Sequence, residues 1–348
     1  MTSNRSVAVI GAGLAGLSCA SALQQAGLQV TVFDKSRGAG GRMSTRRGDG
    51  WQCDHGAQYF TASHPDFRQE VARWERAGVA ARWAPVVHLI DGDGNREMDV
   101  RNERFVGVPA MSAPALHLAL DLNVCGGAAI TGLARAGDGW RLRTALPGYA
   151  DTGFDMVLLA LPAPQTAALL REAAPAQAAL AERAEMFGCW AMMLRYDAPL
   201  ALGFDAAFVQ QGPLRWIARD SSKPGRSGPE TWLLHASPEW SQAHLEDDPG
   251  VVGVTLLEAF RALDGPAPQA WTAHRWRYAS TWPGSTAPYL WVPEHGLGMC
   301  GDWLAGGTVE AAWLSGRALA ASVRGHLVAS SNSTAEARQR KAEGGHCR

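Results

Sequence analysis

The sequence predicts a two-domain α/β protein: a doubly wound parallel sheet, with a mixed and mainly antiparallel sheet inserted into it. Three observations predict this. A glycine-rich turn, Gly11-Ala12-Gly13-Leu14-Ala15-Gly16, follows the apolar run Val7 to Ile10 and opens a helix rich in Ala and Leu. A second apolar run, Val30 to Phe33, ends in an acid, Asp34. Between Met186 and His235 the chain breaks into short apolar runs separated by Pro- and Gly-rich turns, the pattern of an antiparallel sheet.

Glycine makes up 39 of the 348 residues, so a bare G-x-G-x-x-G match carries little weight and its context decides. Here a buried strand feeds the turn, a helix from about Leu14 to Ala26 leaves it, and Gly27 stops that helix. Gln29 to Phe33 then reads as the neighbouring parallel strand. Gly11 permits the tight turn, Gly13 lets the backbone approach a pyrophosphate, and Gly16 lets helix and strand pack closely. Amide groups at the helix start, with the helix dipole, hold the phosphates. Asp34 lies eighteen residues beyond Gly16, where its carboxylate can accept both ribose hydroxyls and would repel a 2′-phosphate. A second cluster, Arg37-Gly38-Ala39-Gly40-Gly41-Arg42-Met43, points to FAD rather than NAD as the bound dinucleotide.

Further along, Gly48 to Phe60 reads as a loop and strand, and His64 to Gly78 as a helix with Phe67, Val71 and Trp74 on one face. Val86 to Ile90 and the turn Asp91 to Asn95 start a hairpin; Arg96 and Asn102 at the sixth and twelfth positions do not fit a calcium loop. Ser112 and Pro114 start another helix, and Phe154 to Leu161 reads as a buried parallel strand. The strands Cys189 to Tyr196, Ala207 to Gln210, Leu214 to Ala218 and Thr231 to Ala236 follow, then helices near Pro238 to Leu245 and Val251 to Leu263. The strand ending at Gly301-Asp302 is followed by a helix from Thr308 to about Val323. There Asp302 can bond a ribityl hydroxyl, while the helix start aims N–H groups at the flavin pyrimidine and favours hydride acceptance.

Composition narrows the function classes. The formal net charge is −1 with both signs interspersed, which gives no reason to expect nucleic acid or an anionic membrane as partner. No apolar run reaches the ~18 residues of a membrane span, and the first strand begins by Val7 with no leader expected before it. Six scattered cysteines without paired spacing suit a reducing, cytoplasmic setting. The run Cys53-Asp54-His55, with His64, has the wrong spacing for a metal, and none is expected. Fourteen tryptophans suit either core filling or walls around a flat heterocycle.

The segments GAGLAGLSCA, DKSRGAGGRMSTRR, DHGAQYFTA, LLALPAPQ, HRWRYA and GDWLAGGTVEAAWLSG resemble, in this order, the renalase branch of the flavin amine-oxidase superfamily, over residues 6 to 326. The resemblance implies non-covalent FAD in a Rossmann-like fold similar to p-hydroxybenzoate hydroxylase. It also implies oxidation of 1,2- or 1,6-dihydro isomers of NAD(P) to NAD(P)⁺, a repair activity in which oxygen reoxidises the flavin and gives hydrogen peroxide. The implied cofactor contacts are Gly11, Gly13, Leu14, Ala15, Gly16, Asp34, Lys35, Gly41, Arg42, Met43, Ile130, Gly301, Asp302, Val309, Glu310 and Ala311, with Gly56, Ala57, Gln58 and Tyr59 near the isoalloxazine. Ala311 departs from the glycine that many relatives carry.

Hydride loss from a dihydropyridine leaves an aromatic cation and needs no strong base, so positioning and exclusion of water suffice. The candidate substrate residues are Gln58, Tyr59, Arg215, Trp216, His235, His274 and Trp276, with Tyr278 beside them. The alternative is amine oxidation, whose enzymes hold a lysine near the flavin; Lys223, in the loop 221–225, is expected outside the flavin, as in the relatives. A second alternative is a flavin-binding redox protein without turnover. The cofactor domain is expected at 1–63, 107–165 and 275–328, the substrate domain at 64–106 and 166–274, and a poorly ordered tail at 329–348.

Overall fold

The computed structural model describes residues 5–99, 102–149, 152–281 and 287–343. Its first sheet has six strands in the order Tyr289–Val292, Leu297–Cys300, Met156–Leu159, Ser6–Ile10, Gln29–Asp34 and Asn123–Gly126. All neighbours are parallel except the edge pair Tyr289–Val292 and Leu297–Cys300. The strand Ser6–Ile10 therefore lies between its sequence successor and the much later Met156–Leu159, with Ile10 paired to Phe33 on one side and Leu159 on the other. Chain connections leave in opposite directions here, and the resulting crevice at the carboxyl edge is where such sheets bind ligands.

Burial on both faces explains the runs of apolar residues in these strands: Val7, Ala8, Val9, Val157, Leu158 and Leu159 are wholly buried. The helix Leu14–Gln25 covers one face and packs against the closing helix Val309–Glu343. A side chain at Gly316 would come within 2.1 Å of the Ala15 carbonyl, and Ser18 donates to the Trp313 carbonyl at 3.0 Å, so these two helices touch backbone to backbone.

The second sheet has seven strands in the order Ala270–Thr281, Met186–Tyr196, Glu230–Ala236, Leu214–Arg219, Ala206–Val209, Val87–Asp91 and Gly94–Glu97. It is antiparallel except where Ala206–Val209 runs parallel to Val87–Asp91. One face carries Leu234, Met192 and Ile217 into a core with Leu256 and Phe260 of the helix Pro249–Arg261. The opposite face looks toward the carboxyl edge of the first sheet.

Several expectations shift. The strand Ala270–Thr281 runs unbroken through 274/275, where a domain boundary was expected, because its entire length pairs with Met186–Tyr196. The closing helix continues to Glu343, through most of the stretch read as a tail; Ala, Glu, Gln, Arg and Lys there are good helix formers. Residues 344–348 lie outside the described residues. Ser112 precedes the helix Ala113–Ala119 without capping it by side chain, whereas Ser237 does cap Pro238–Ala243. Trp74, Trp140, Trp190 and Trp232 are core filling, while Trp216 and Trp276 reach the cleft between the sheets.

Candidate active site

The carboxyl edge of the first sheet opens into a cleft of about 1120 Å³, above the ~300–1,000 Å³ of an ordinary small-molecule pocket. One end is built by the first turn. Gly11 has φ +112°, and a Cβ on it would lie 2.5 Å from the Ala160 carbonyl, so only glycine closes the turn there. A Cβ on Gly16 would lie 2.0 Å from the Gly11 carbonyl, while one on Gly13 would meet no protein atom within 4 Å. The space before Gly13, under the first turn of a twelve-residue helix, is thus left open by the protein, where an anion could be held. The second glycine cluster packs on the first: Gly40 N–H donates to the Ala12 carbonyl at 2.9 Å. Asp34 sits at the end of its strand, accepting from Ala12 N–H and Ser36 N–H at 2.7 Å each, which orients its carboxylate at the cleft edge.

The middle of the cleft is closed from both ends of the chain. Arg42 and Asp302, 260 residues apart, form a bidentate ion pair; Arg42 Nη1 donates to Asp302 Oδ2 at 2.9 Å and to the Ala279 carbonyl at 3.1 Å. Thr308 caps the closing helix by accepting from Ala311 N–H at 3.1 Å. Thr308, Val309 and Ala312 then face the cleft.

The far end is a row across the second sheet. Ala191 pairs with His235 on one side and His274 on the other, and His235 pairs with Trp216, so register alone sets Trp216, His235 and His274 on the face that looks into the cleft. Trp276, two residues beyond His274, stacks on His55 with ring centroids 5.0 Å apart, and His274 meets His55 edge-on at 4.7 Å. The His55 carbonyl accepts from Trp276 Nε1 at 2.8 Å and lies 3.1 Å from His235 Nε2. Burial, then the neighbouring His274, Arg46 and His235, pushes His55 down to about 3. Burial likewise pushes His235 down to about 4, and burial with Arg46 lowers His274. The row is therefore uncharged near neutral pH. The only carboxylates among the described lining residues are Asp34 and Asp302.

Of the residues singled out in the sequence, Gly11, Gly13, Leu14, Ala15, Asp34, Lys35, Gly41, Arg42, Met43, Gly56, Ala57, Ile130, Gly301, Asp302 and Val309 line this one cleft, with Arg215, Trp216, His235, His274, Trp276 and Tyr278. Five others do not. Gly16 lies behind the turn, where it lets the helix approach. Glu310 turns away, accepting from Ser63 N–H at 2.8 Å, and Ala311 is buried beside the helix start. Gln58 bonds the Asp54 and Gly56 carbonyls at 2.7 and 3.1 Å. Tyr59 packs against Trp216, its ring 5.6 Å away, with the Arg104 guanidinium over it at 4.8 Å. Lys223 is outside the cleft but is no surface-loop residue: its side chain is fully buried between Asp54 and Asp220. His55 lines the cleft but was not among the candidates read from the sequence; its signal was its place immediately before Gly56.

Residues 9–74 match the family described as NAD(P)-binding Rossmann-like domain. An L-amino-acid oxidase of Siganus canaliculatus is 44% identical over 69 residues, 19% of this chain and 13% of that protein. One from Bothrops pauloensis is 41% identical over 76 residues, 21% of this chain and 15% of that protein. The chain thus aligns with under a sixth of the length of these relatives. Likeness across the whole fold comes from structure. Cyclohexylamine oxidase from Brevibacterium oxydans superposes with a TM-score of 0.74 at 13% identity, covering 93% of this chain and 99% of that one. The fold is that of the flavin amine oxidases. A putrescine oxidase bound to putrescine gives 0.72 at 14% identity, over 92% and 98% of the two chains. The Gly11–Gly16 turn, Asp34 and the start of the closing helix lie along one cleft of this fold, which is long enough to take a dinucleotide. No helix among the described residues is long and apolar enough to cross a membrane.

Proposed function

We propose that this protein is an FAD-dependent oxidase that takes a hydride from 1,2- or 1,6-dihydro isomers of NAD(P), as the resemblance to renalases implies. The observation that carries the reading is the aromatic end of the cleft, where His55, His235 and His274 are uncharged beside Trp216 and Trp276, with no carboxylate among them; of the cations lining the same cleft, Arg275 and Arg277 are paired with Glu246 and Arg215 is exposed. Such a wall suits a flat dihydropyridine whose oxidation creates a positive ring, because neutral imidazoles do not repel the product as imidazolium would. Trp216 and Trp276 supply faces on which that cation is favoured. Bound FAD would accept the hydride and pass two electrons to oxygen, giving hydrogen peroxide. The chain's own task is to stack the ring and exclude water, and no side chain has to remove a proton from carbon.

Amine oxidation is the second reading, favoured by the whole-chain likeness to cyclohexylamine and putrescine oxidases. Against it, the ammonium of Lys223 is occupied by Asp220, Asp54 and Gln58 at 2.7, 3.1 and 3.2 Å, and neither carboxylate among the described lining residues, Asp34 or Asp302, belongs to the aromatic row. Anaerobic mixing of the FAD-loaded protein with 2-, 4- and 6-dihydronicotinamide dinucleotides separates the readings. Rapid bleaching of the flavin by the 2- or 6-dihydro isomer is expected. Fastest reduction by the ordinary 4-dihydro form would overturn the proposal, peroxide release with an amine panel would favour the second reading, and no bleaching by any donor would indicate a redox protein without turnover.

A further inference from the structure

Behind the cleft wall formed by His55, Gly56 and Ala57 lies a set of ions that the chemistry above does not use. The side chains of Asp54, Asp220, Lys223 and Arg226 are all 0–2% exposed, and their charges cancel. Asp54 ends the strand Trp51–Asp54, immediately before the wall; the other three follow the strand Leu214–Arg219 of the second sheet. All three identified acceptors of Lys223 are fixed: Asp220 Oδ1, Asp54 Oδ2 and Gln58 Oε1.

The third contact decides what the lysine does. With its oxygen turned to an ammonium, the Gln58 amide must present its NH₂ to the other side, where it donates to the carbonyls of Asp54 and Gly56. A flipped amide would set donor against donor at Lys223 and oxygen against two carbonyls, so the cation enforces one orientation. The intervening His55 carbonyl is held from the opposite side by Trp276 and His235. Three consecutive carbonyls are thus anchored, at the one place where a Cβ on Gly56 would lie 2.0 Å from the Arg42 carbonyl and the wall cannot shift inward.

We propose that Lys223 is a positioning residue: acting through Gln58, it fixes the Asp54–Gly56 backbone and so sets how the wall His55–Ala57 meets the flavin. This rests on FAD being the occupant of the cleft and not on the choice of substrate. Its test uses the full chain loaded with FAD and reads the FAD dissociation constant, the visible flavin spectrum and the flavin midpoint potential. Gln58→Leu removes both halves of the relay, Gln58→Glu keeps the contact to Lys223 but has no NH₂ for the carbonyls, and Lys223→Met removes the cation. Each is expected to weaken FAD binding roughly 5- to 10-fold, the scale of one ordinary hydrogen bond, and to shift the spectrum and potential. The two Gln58 variants leave all four ions in place and carry the test if Lys223→Met does not fold. Wild-type dissociation constant, spectrum and potential in Gln58→Leu and Gln58→Glu would overturn the proposal while leaving the cofactor reading intact. Wild-type protein that binds no FAD would overturn both.

Discussion

At the scale of single residues, Asp302 and the neutral histidines are the most exposed to test. Asp302 holds Arg42 across the middle of the cleft, and its loss leaves that guanidinium with only the Ala279 carbonyl. Asp302→Ala is expected to weaken FAD retention by about 10- to 100-fold, the scale of a hydrogen bond to a charged group. Flavin content per chain after gel filtration measures this; unchanged content would mean the site is misplaced. His235 and His55, held at about 4 and 3, differ from an unfolded value near ~6.5. Between those values the unfolded chain binds the extra protons, so their contribution is fully present above pH ~6.5 and is lost as pH falls toward about 4. Asp220 works the other way. Burial and the Asp54 charge push it up to about 6, against Lys223 and Arg226, so its contribution is present at low pH and lost as pH rises through 6. Two histidines outweigh one aspartate. The thermal midpoint is therefore expected to fall from about pH 7 to 4.5, and His235→Gln to flatten that fall. An unchanged slope in the variant would remove His235 as a cause. Asp54 adds to this only at lower pH: burial would raise it, but Lys223, Arg226 and the Thr45 hydroxyl outweigh burial and hold it well below the usual carboxylate range.

At the scale of elements, the contact between the first helix and the closing helix joins the Gly11–Gly13 end of the cleft to the stretch lined by Thr308 and Val309. Gly316 makes it possible, since a side chain there would strike Ala15 O and Ser18 Oγ at 2.1 and 2.2 Å. Gly316→Val is expected to cost about 1–3 kcal/mol of stability, as overpacking does, and to loosen FAD by displacing Thr308 and Val309. Urea unfolding with a parallel flavin titration would check both, and a loss of neither would show that the helices can separate freely. The first helix was legible because its strand, turn and stop signals all lie within thirty residues. The far end of the closing helix was not. Its Ser, Ala, Glu and Arg composition lacks an apolar stripe, yet its Ala, Glu, Gln, Arg and Lys are good helix formers on a helix already nucleated by packing.

At the scale of the whole molecule, FAD would span residues from both chain ends and both sheets, so binding should stabilise all of it. At a free FAD concentration of 100 times the dissociation constant, mass action gives about 2.7 kcal/mol. A melting temperature that rises steadily with added FAD is expected, and one indifferent to FAD would contradict the cofactor site. By itself the sequence determined the parallel sheet, the dinucleotide turn and the acid that follows it, because each depends on glycines, apolar runs and an acid a few residues apart. It also placed Trp216, His235, His274 and Trp276 among the candidates. Only the tertiary structure decided that they form one row with His55, since that row depends on strand register across Ala191. Only the tertiary structure, too, turned Gln58 away from the cleft and put Lys223, already expected outside the flavin, among the buried ions behind it. The physical reason is range: backbone conformation answers to near neighbours, whereas the pairing of buried charges 169 and 172 residues apart is settled only when the two sheets close on each other.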